Sequence, residues 1–101
     1  MEITINDETV TLKKTFRSVI AYEQATKKTF NPSTISEMIL YFYCVIIASD
    51  TELEITYDDF ITWLDNNETS LKNFTEWVIK VNQMEDTTAK KKSVRTTKKS
   101  L

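Results

Sequence analysis

The sequence predicts a mainly α protein of the α+β class: an N-terminal β-hairpin, then about four helices in a small bundle, then a disordered basic tail. Three observations predict it. The first dozen residues alternate β-branched and polar positions about an Asn-Asp pair. Residues 15 to 84 carry apolar positions at helical spacing behind threonine caps. Residues 85–101, "EDTTAKKKSVRTTKKSL", hold no aromatic residue and too little apolar surface to offset the entropy of ordering them. The expected boundaries are a folded domain over 1–84 and a tail over 85–101.

In the hairpin, "EITI" and "TVTLK" flank Asn6-Asp7-Glu8, and asparagine and aspartate tolerate a left-handed turn in a chain with no glycine. Ile3, Ile5, Val10 and Leu12 then share one apolar face, which needs a helical partner because an isolated hairpin is marginal in water. Helix 1 starts behind Thr15 as N-cap, ends near Lys27 or Lys28, and is expected to present Phe16, Val19 and Ile20, with Glu23, as its inward stripe. Tyr22 and Ala25 lie beside that stripe. Pro32 biases Asn31 away from helix. Thr34-Ile35-Ser36-Glu37 matches a capping box and starts helix 2, expected over about Ile35 to Ala48.

Helix 2 is apolar on every side, with ten consecutive apolar or aromatic residues from Met38 to Ile47. Such a helix is surrounded by its neighbours. Even extended through Ala48 the run falls well short of the roughly 20 residues a bilayer crossing needs. Thr56 caps helix 3, "YDDFITWLDNN", with Tyr57, Phe60, Ile61 and Leu64 on one stripe. Asn66 and Asn67 close it. Helix 4, expected from about Glu68 to Gln83, carries Leu71, Phe74, Trp77, Val78 and Val81.

Charge is divided along the chain. Residues 1–86 hold all 15 acids and seven bases, a balance of −8, while residues 87–101 hold six bases and no acid, +6. The pattern is an acidic body with a basic tail. No aromatic interleaves the basic tail, and the acidic body repels phosphate, so nucleic acid is not an expected partner. The N-terminal "MEITINDETV" has neither a charged start nor an apolar core of the secretory kind, which points to the cytoplasm.

Catalytic chemistry finds little to use. With no histidine, the commonest general base and metal ligand is missing, and with no glycine a phosphate-cradling loop is excluded. Cys44, the single cysteine, lies between Tyr43 and Val45 with no activating neighbour and reads as a small core residue. Asp65, Asn67, Thr69 and Glu76 fall at the first, third, fifth and twelfth positions of an EF-hand-like spacing, but Ser70 stands where that loop needs glycine. Asp58 and Asp59 are adjacent, so their carboxylates diverge on a helix instead of sharing a proton, and they suit the positive end of its dipole. The expectation is no enzyme, cofactor, metal or small-molecule substrate.

The hairpin, then "TFRSVIAYEQATKKTFNP", the long apolar helix and "ITYDDFITWLDNNETSLKNFTEWV" together resemble the tail assembly chaperones of long-tailed bacteriophages and prophages over about residues 2–82. The most telling pieces are Phe16-Arg17, Tyr22-Glu23, Thr26-Lys27-Lys28, Ile55-Thr56-Tyr57-Asp58-Asp59-Phe60 and Trp63-Leu64. This chain has Lys27 where the family's helix-ending "TGK" has glycine. The resemblance implies a non-enzymatic protein that binds the tape measure protein in the bacterial host cytoplasm and helps tail-tube protein gather around it. A structural tail-completion or connector role in the particle is the alternative.

The expected partner surface joins the aromatics Tyr41, Tyr43, Trp63 and Trp77 to an acidic rim of Asp58, Asp59 and Asp65 that would steer a basic client. Five Phe, four Tyr and two Trp exceed what a body of this size hides, so self-association into a homo-oligomer is expected as well.

Overall fold

The computed structural model describes the backbone through Thr96 and the side chains of residues 1–82. The last helix continues to Thr96, past the end expected near Gln83 and across the boundary expected after residue 84, so the backbone over 85–96 is helical where a disordered tail was expected; the rest of that expectation, over 97–101, lies outside the described residues. The fold is an antiparallel hairpin, β1 (Glu2–Ile5) and β2 (Glu8–Thr11), followed by four helices, α1 (Phe16–Thr26), α2 (Ile35–Ser49), α3 (Tyr57–Asp65) and α4 (Thr69–Thr96).

The hairpin turns on two residues. Asn6 and Asp7 both take positive φ, 53° and 63°, which is the pairing whose twist matches that of the strands. Ile5 opposes Glu8 and Ile3 opposes Val10. That register puts Ile3, Ile5, Val10 and Leu12 on one face, all buried.

Thr15 caps α1, its Oγ1 accepting from the Ser18 backbone N–H at 3.1 Å. The helix ends at Lys27, left-handed at φ 61°, whose N–H reaches Glu23 O at 2.8 Å. The buried face of α1 differs from the expected stripe. Ser18 and Tyr22 point inward, whereas Phe16 is 87% exposed and Ile20 51%. The reason lies downstream. Tyr22 meets Phe30 and Tyr41 edge-on, with ring centroids 5.4 and 6.0 Å apart, and Phe30 meets Tyr41 at 4.8 Å. This three-ring cluster fixes the rotation of α1, and the small Ser18 lets the helix approach closely. The Ser18 hydroxyl is satisfied inside its own helix, donating to Thr15 O at 2.7 Å.

The capping box of α2 forms. Thr34 Oγ1 accepts from Glu37 N at 3.1 Å, and Glu37 Oε1 accepts from Thr34 N at 3.1 Å and Ser33 N at 3.0 Å. These backbone donors hold the Glu37 carboxyl below the usual carboxylate range. Tyr41, Phe42, Cys44, Val45 and Ile46 are all buried, and α2 packs against α1, β2 and α4. It is the centre of the fold, and among the described residues no helix is long and apolar enough to cross a membrane.

Thr56 caps α3 through Asp59 N at 3.1 Å, and the helix turns Phe60 and Leu64 inward. Asn66 and Asn67 close it by donating their side-chain amides to Thr62 O and Trp63 O. Helix α4 contributes Phe74, with no exposed surface, and Val78. Phe74 stacks on Phe42 at 4.2 Å with an interplanar angle of 2°. Asp65 ends α3 and Glu76 lies in the second turn of α4, so the EF-hand-like spacing runs through a helix joint.

Candidate partner-binding surface

Of the seven residues expected to form a partner surface, Tyr41 is buried, the other six keep some exposed surface, and the four aromatics divide between two parts of the core. Around Phe74 sit Tyr41 and Trp77, at ring distances of 5.7 and 5.8 Å. Around Phe60 sit Tyr43 and Trp63, at 5.6 and 6.1 Å. Phe42, wholly buried, lies between the two groups.

Tyr41 is 1% exposed and offers a partner no surface; its ring completes the cluster with Tyr22 and Phe30. Tyr43 is half-buried and donates its hydroxyl to Ile55 O at 2.7 Å, holding the α2–α3 connection against α2. Trp63, also half-buried, donates its indole N–H to Thr4 O at 2.9 Å across 59 residues of chain. Trp77 is half-buried against the core. In each case a ring that binds its own fold has a structural task already. Asp58, Asp59 and Asp65 are exposed on α3 as expected. The large apolar residue beside them is Tyr57, 38% exposed, its ring edge-on to Tyr43.

The exposed apolar surface lies elsewhere. Phe16 and Ile20, one turn apart, form a ridge along the outer side of α1. Beside the ridge is an open groove of about 580 Å³ lined by Lys14, Thr15, Phe16, Val19 and Phe30. Ile35, 74% exposed at the start of α2, borders a smaller hollow of about 190 Å³ with Met38, Leu71 and Thr75. Ile79, 52% exposed, stands one turn beyond Thr75 on α4. Three residues further, Asn82 Oδ1 accepts from Lys14 Nζ at 2.7 Å. The two hollows flank the α1–α2 connection, Phe30 lining the larger and Pro32 the smaller.

The electrostatics around the ridge are basic. Lys13, Arg17 and Lys27 are exposed on or beside α1. Its one acid, Glu23, turns Oε2 onto the Phe30 N–H at 2.8 Å, which anchors Phe30 at the groove wall. Lys28 lies 3.9 Å from Glu37. Cys44 lies in the core, where burial pushes its thiol up to about 11.

Sequence reasoning missed Phe16, Ile20, Ile35 and Ile79 as surface residues. The signal that could have found the first two is the second stripe of α1: Ser18, Ala21 and Tyr22 are as regularly spaced as Phe16, Val19 and Ile20, and Ser18 and Ala21 are small enough to let the helix pack closely. No protein-family model matches the chain, and searches of curated proteins and of solved structures found no match either.

Proposed function

We propose that this chain is a non-enzymatic binding protein of the tail-assembly-chaperone type, acting in the bacterial host cytoplasm. It holds the long helical tape measure protein reversibly while tail-tube protein gathers around it. The observation that carries this reading is the apolar ridge and groove of α1. Phe16 at 87% and Ile20 at 51% exposure are large side chains left to solvent beside an open groove. Exposed apolar patches of this kind mark sites of protein contact, and helical clients are commonly held by apolar anchors in grooves.

Two local features support the family part of the reading. The Thr26-Lys27-Lys28 helix end takes the left-handed turn at Lys27, where the family carries glycine. The stretch Thr56-Tyr57-Asp58-Asp59-Phe60 starts a helix with a threonine cap and two acids in its first turn.

The test is co-expression with the longest helical protein encoded immediately downstream, then affinity capture and sizing. The expected result is a soluble stoichiometric complex, with the client insoluble when produced alone. Absence of a complex, together with stoichiometric presence of this chain in purified particles, would overturn the chaperone reading in favour of a structural tail component.

A further inference from the structure

We infer that the α1 groove receives an acidic amphipathic helix of a partner protein, with one large apolar side chain seated between Phe16, Val19 and Phe30. This names the chemistry of the client segment and rests on the binding-protein reading above. It reverses the polarity expected from the acidic residues of α3, which would have steered a basic client.

Charge complementarity carries the argument. Between residues 13 and 28 lie five bases, Lys13, Lys14, Arg17, Lys27 and Lys28, against the single acid Glu23. Between residues 29 and 76 lie nine acids against the single base Lys72. The folded body is thus acidic except along α1, and that is where its most exposed apolar residue, Phe16, stands. A partner that matches both properties carries large apolar residues on one side and carboxylates flanking them. Steering by the exposed Lys13, Arg17 and Lys27 would speed its encounter and select against basic segments.

The shape favours a helix. Phe16 and Ile20 are spaced one turn apart, and the groove opens between Phe16 and Phe30 at one end of that row, so an i, i+4 row on the partner can lie along the ridge with one side chain in the groove. A volume of about 580 Å³ accommodates a large side chain, yet one wall is the nearly fully exposed Phe16, which gives a small molecule little enclosure.

Two other occupants fit less well. The chain's own segment 87–101 carries six bases and no acid, so it is repelled by α1. A second copy could offer its acidic stretch 50–59, but there the exposed large apolar residue is Tyr57 alone, because Phe60 and Leu64 are committed to their own core.

The probe is a fluorescent amphipathic peptide of about 18 residues, with Leu and Trp in an i, i+4, i+7 row and glutamate elsewhere. Its twin replaces every glutamate by lysine. Anisotropy titrations use the full chain at low and high salt. The expected result is saturable binding of the acidic peptide that weakens with salt, and binding of the lysine twin weaker by about tenfold or more. Phe16→Glu and Arg17→Glu, both at exposed positions that leave the core intact, each weaken the acidic peptide by about tenfold.

Equal or tighter binding of the twin, or unchanged binding by Phe16→Glu, overturns the inference. So does a concentration-dependent dimer of the chain alone that Phe16→Glu abolishes, which would assign the face to a second copy. Failure here is separable from failure of the chaperone reading. A captured tail client indifferent to Phe16→Glu sinks only the groove assignment. A bound acidic peptide with no captured client sinks only the chaperone reading.

Discussion

Two phenylalanines differ so much in their surroundings that the same substitution should have opposite consequences. Phe42 has no exposed surface, stacks on Phe74 at 4.2 Å, and meets Phe60 and Trp63 edge-on at 5.3 and 6.1 Å. Phe42→Ala removes a ring from a site bounded by three others, and buried Phe→Ala changes cost about 3–5 kcal/mol. Each lost ring pair adds about 0.5–1.5 kcal/mol beyond area, so the upper half of that range is expected. A folded body of this size has a total stability of about 4–12 kcal/mol. The variant should therefore lose about a third or more of that stability, with its melting temperature lowered by roughly 16–40 °C.

Phe16→Ala removes the same atoms from a position 87% exposed, where substitutions stay within about 0.5 kcal/mol. The assay is urea unfolding of both variants followed by far-ultraviolet circular dichroism, compared by midpoint at constant slope. A Phe42→Ala cost below about 1.5 kcal/mol, or a Phe16→Ala cost above it, would refute the assignment of inner and outer faces on α1 and α2.

Further predictions concern the caps and the core thiol. Thr34→Ala should cost about 1 kcal/mol in the same unfolding assay. Because the folded Glu37 carboxyl sits below its ordinary value of 4.5, its contribution is present above that pH and is lost as pH falls through the folded value; Glu37→Gln should remove this part of the acid dependence. Lys27→Gly, at a left-handed position with φ 61°, should raise stability by about 0.5–1 kcal/mol while keeping the Glu23 O bond, and a loss instead would show the lysine side chain to be engaged. Cys44, raised from 9.0 to about 11, should resist iodoacetamide near neutral pH and react readily in urea. Its neutral burial stabilises the fold below about pH 9 and that share is lost as pH rises towards 11, so Cys44→Ala should flatten the alkaline decline.

What the sequence made legible was local chemistry. Thr15, Thr34 and Thr56 all cap helices where the hydroxyl-before-helix pattern placed them. The hairpin face of Ile3, Ile5, Val10 and Leu12 followed from a period of two, and Asn6-Asp7 supplied the turn. The rotation of α1 was not legible, because two stripes compete on that helix. The choice is made by Phe30 and Tyr41, which reach Tyr22 only after the chain has folded back. The structural tasks of the expected surface aromatics were hidden for a related reason. Whether Tyr43 and Trp63 point outward depends on finding an acceptor, and theirs, Ile55 O and Thr4 O, lie 12 and 59 residues away. Aromatic abundance correctly signalled exposed apolar surface but could not say which residues would bear it.

The bond from Trp63 to Thr4 has a consequence for solubility. In this register Ile5 and Glu8, next to the turn, exchange backbone bonds, so the polar groups of Thr4 face away from β2 towards the free side of the hairpin. A row of such groups is a template on which a strand from another molecule can add, the usual beginning of sheet-to-sheet aggregation. The indole of Trp63, reaching over from α3, occupies the Thr4 carbonyl. Trp63 thus acts as a guard on an edge strand. Trp63→Phe would keep most of the ring packing, yet it would release the carbonyl, and concentrated solutions of the variant should form more β-structured aggregate than the native chain under the same conditions.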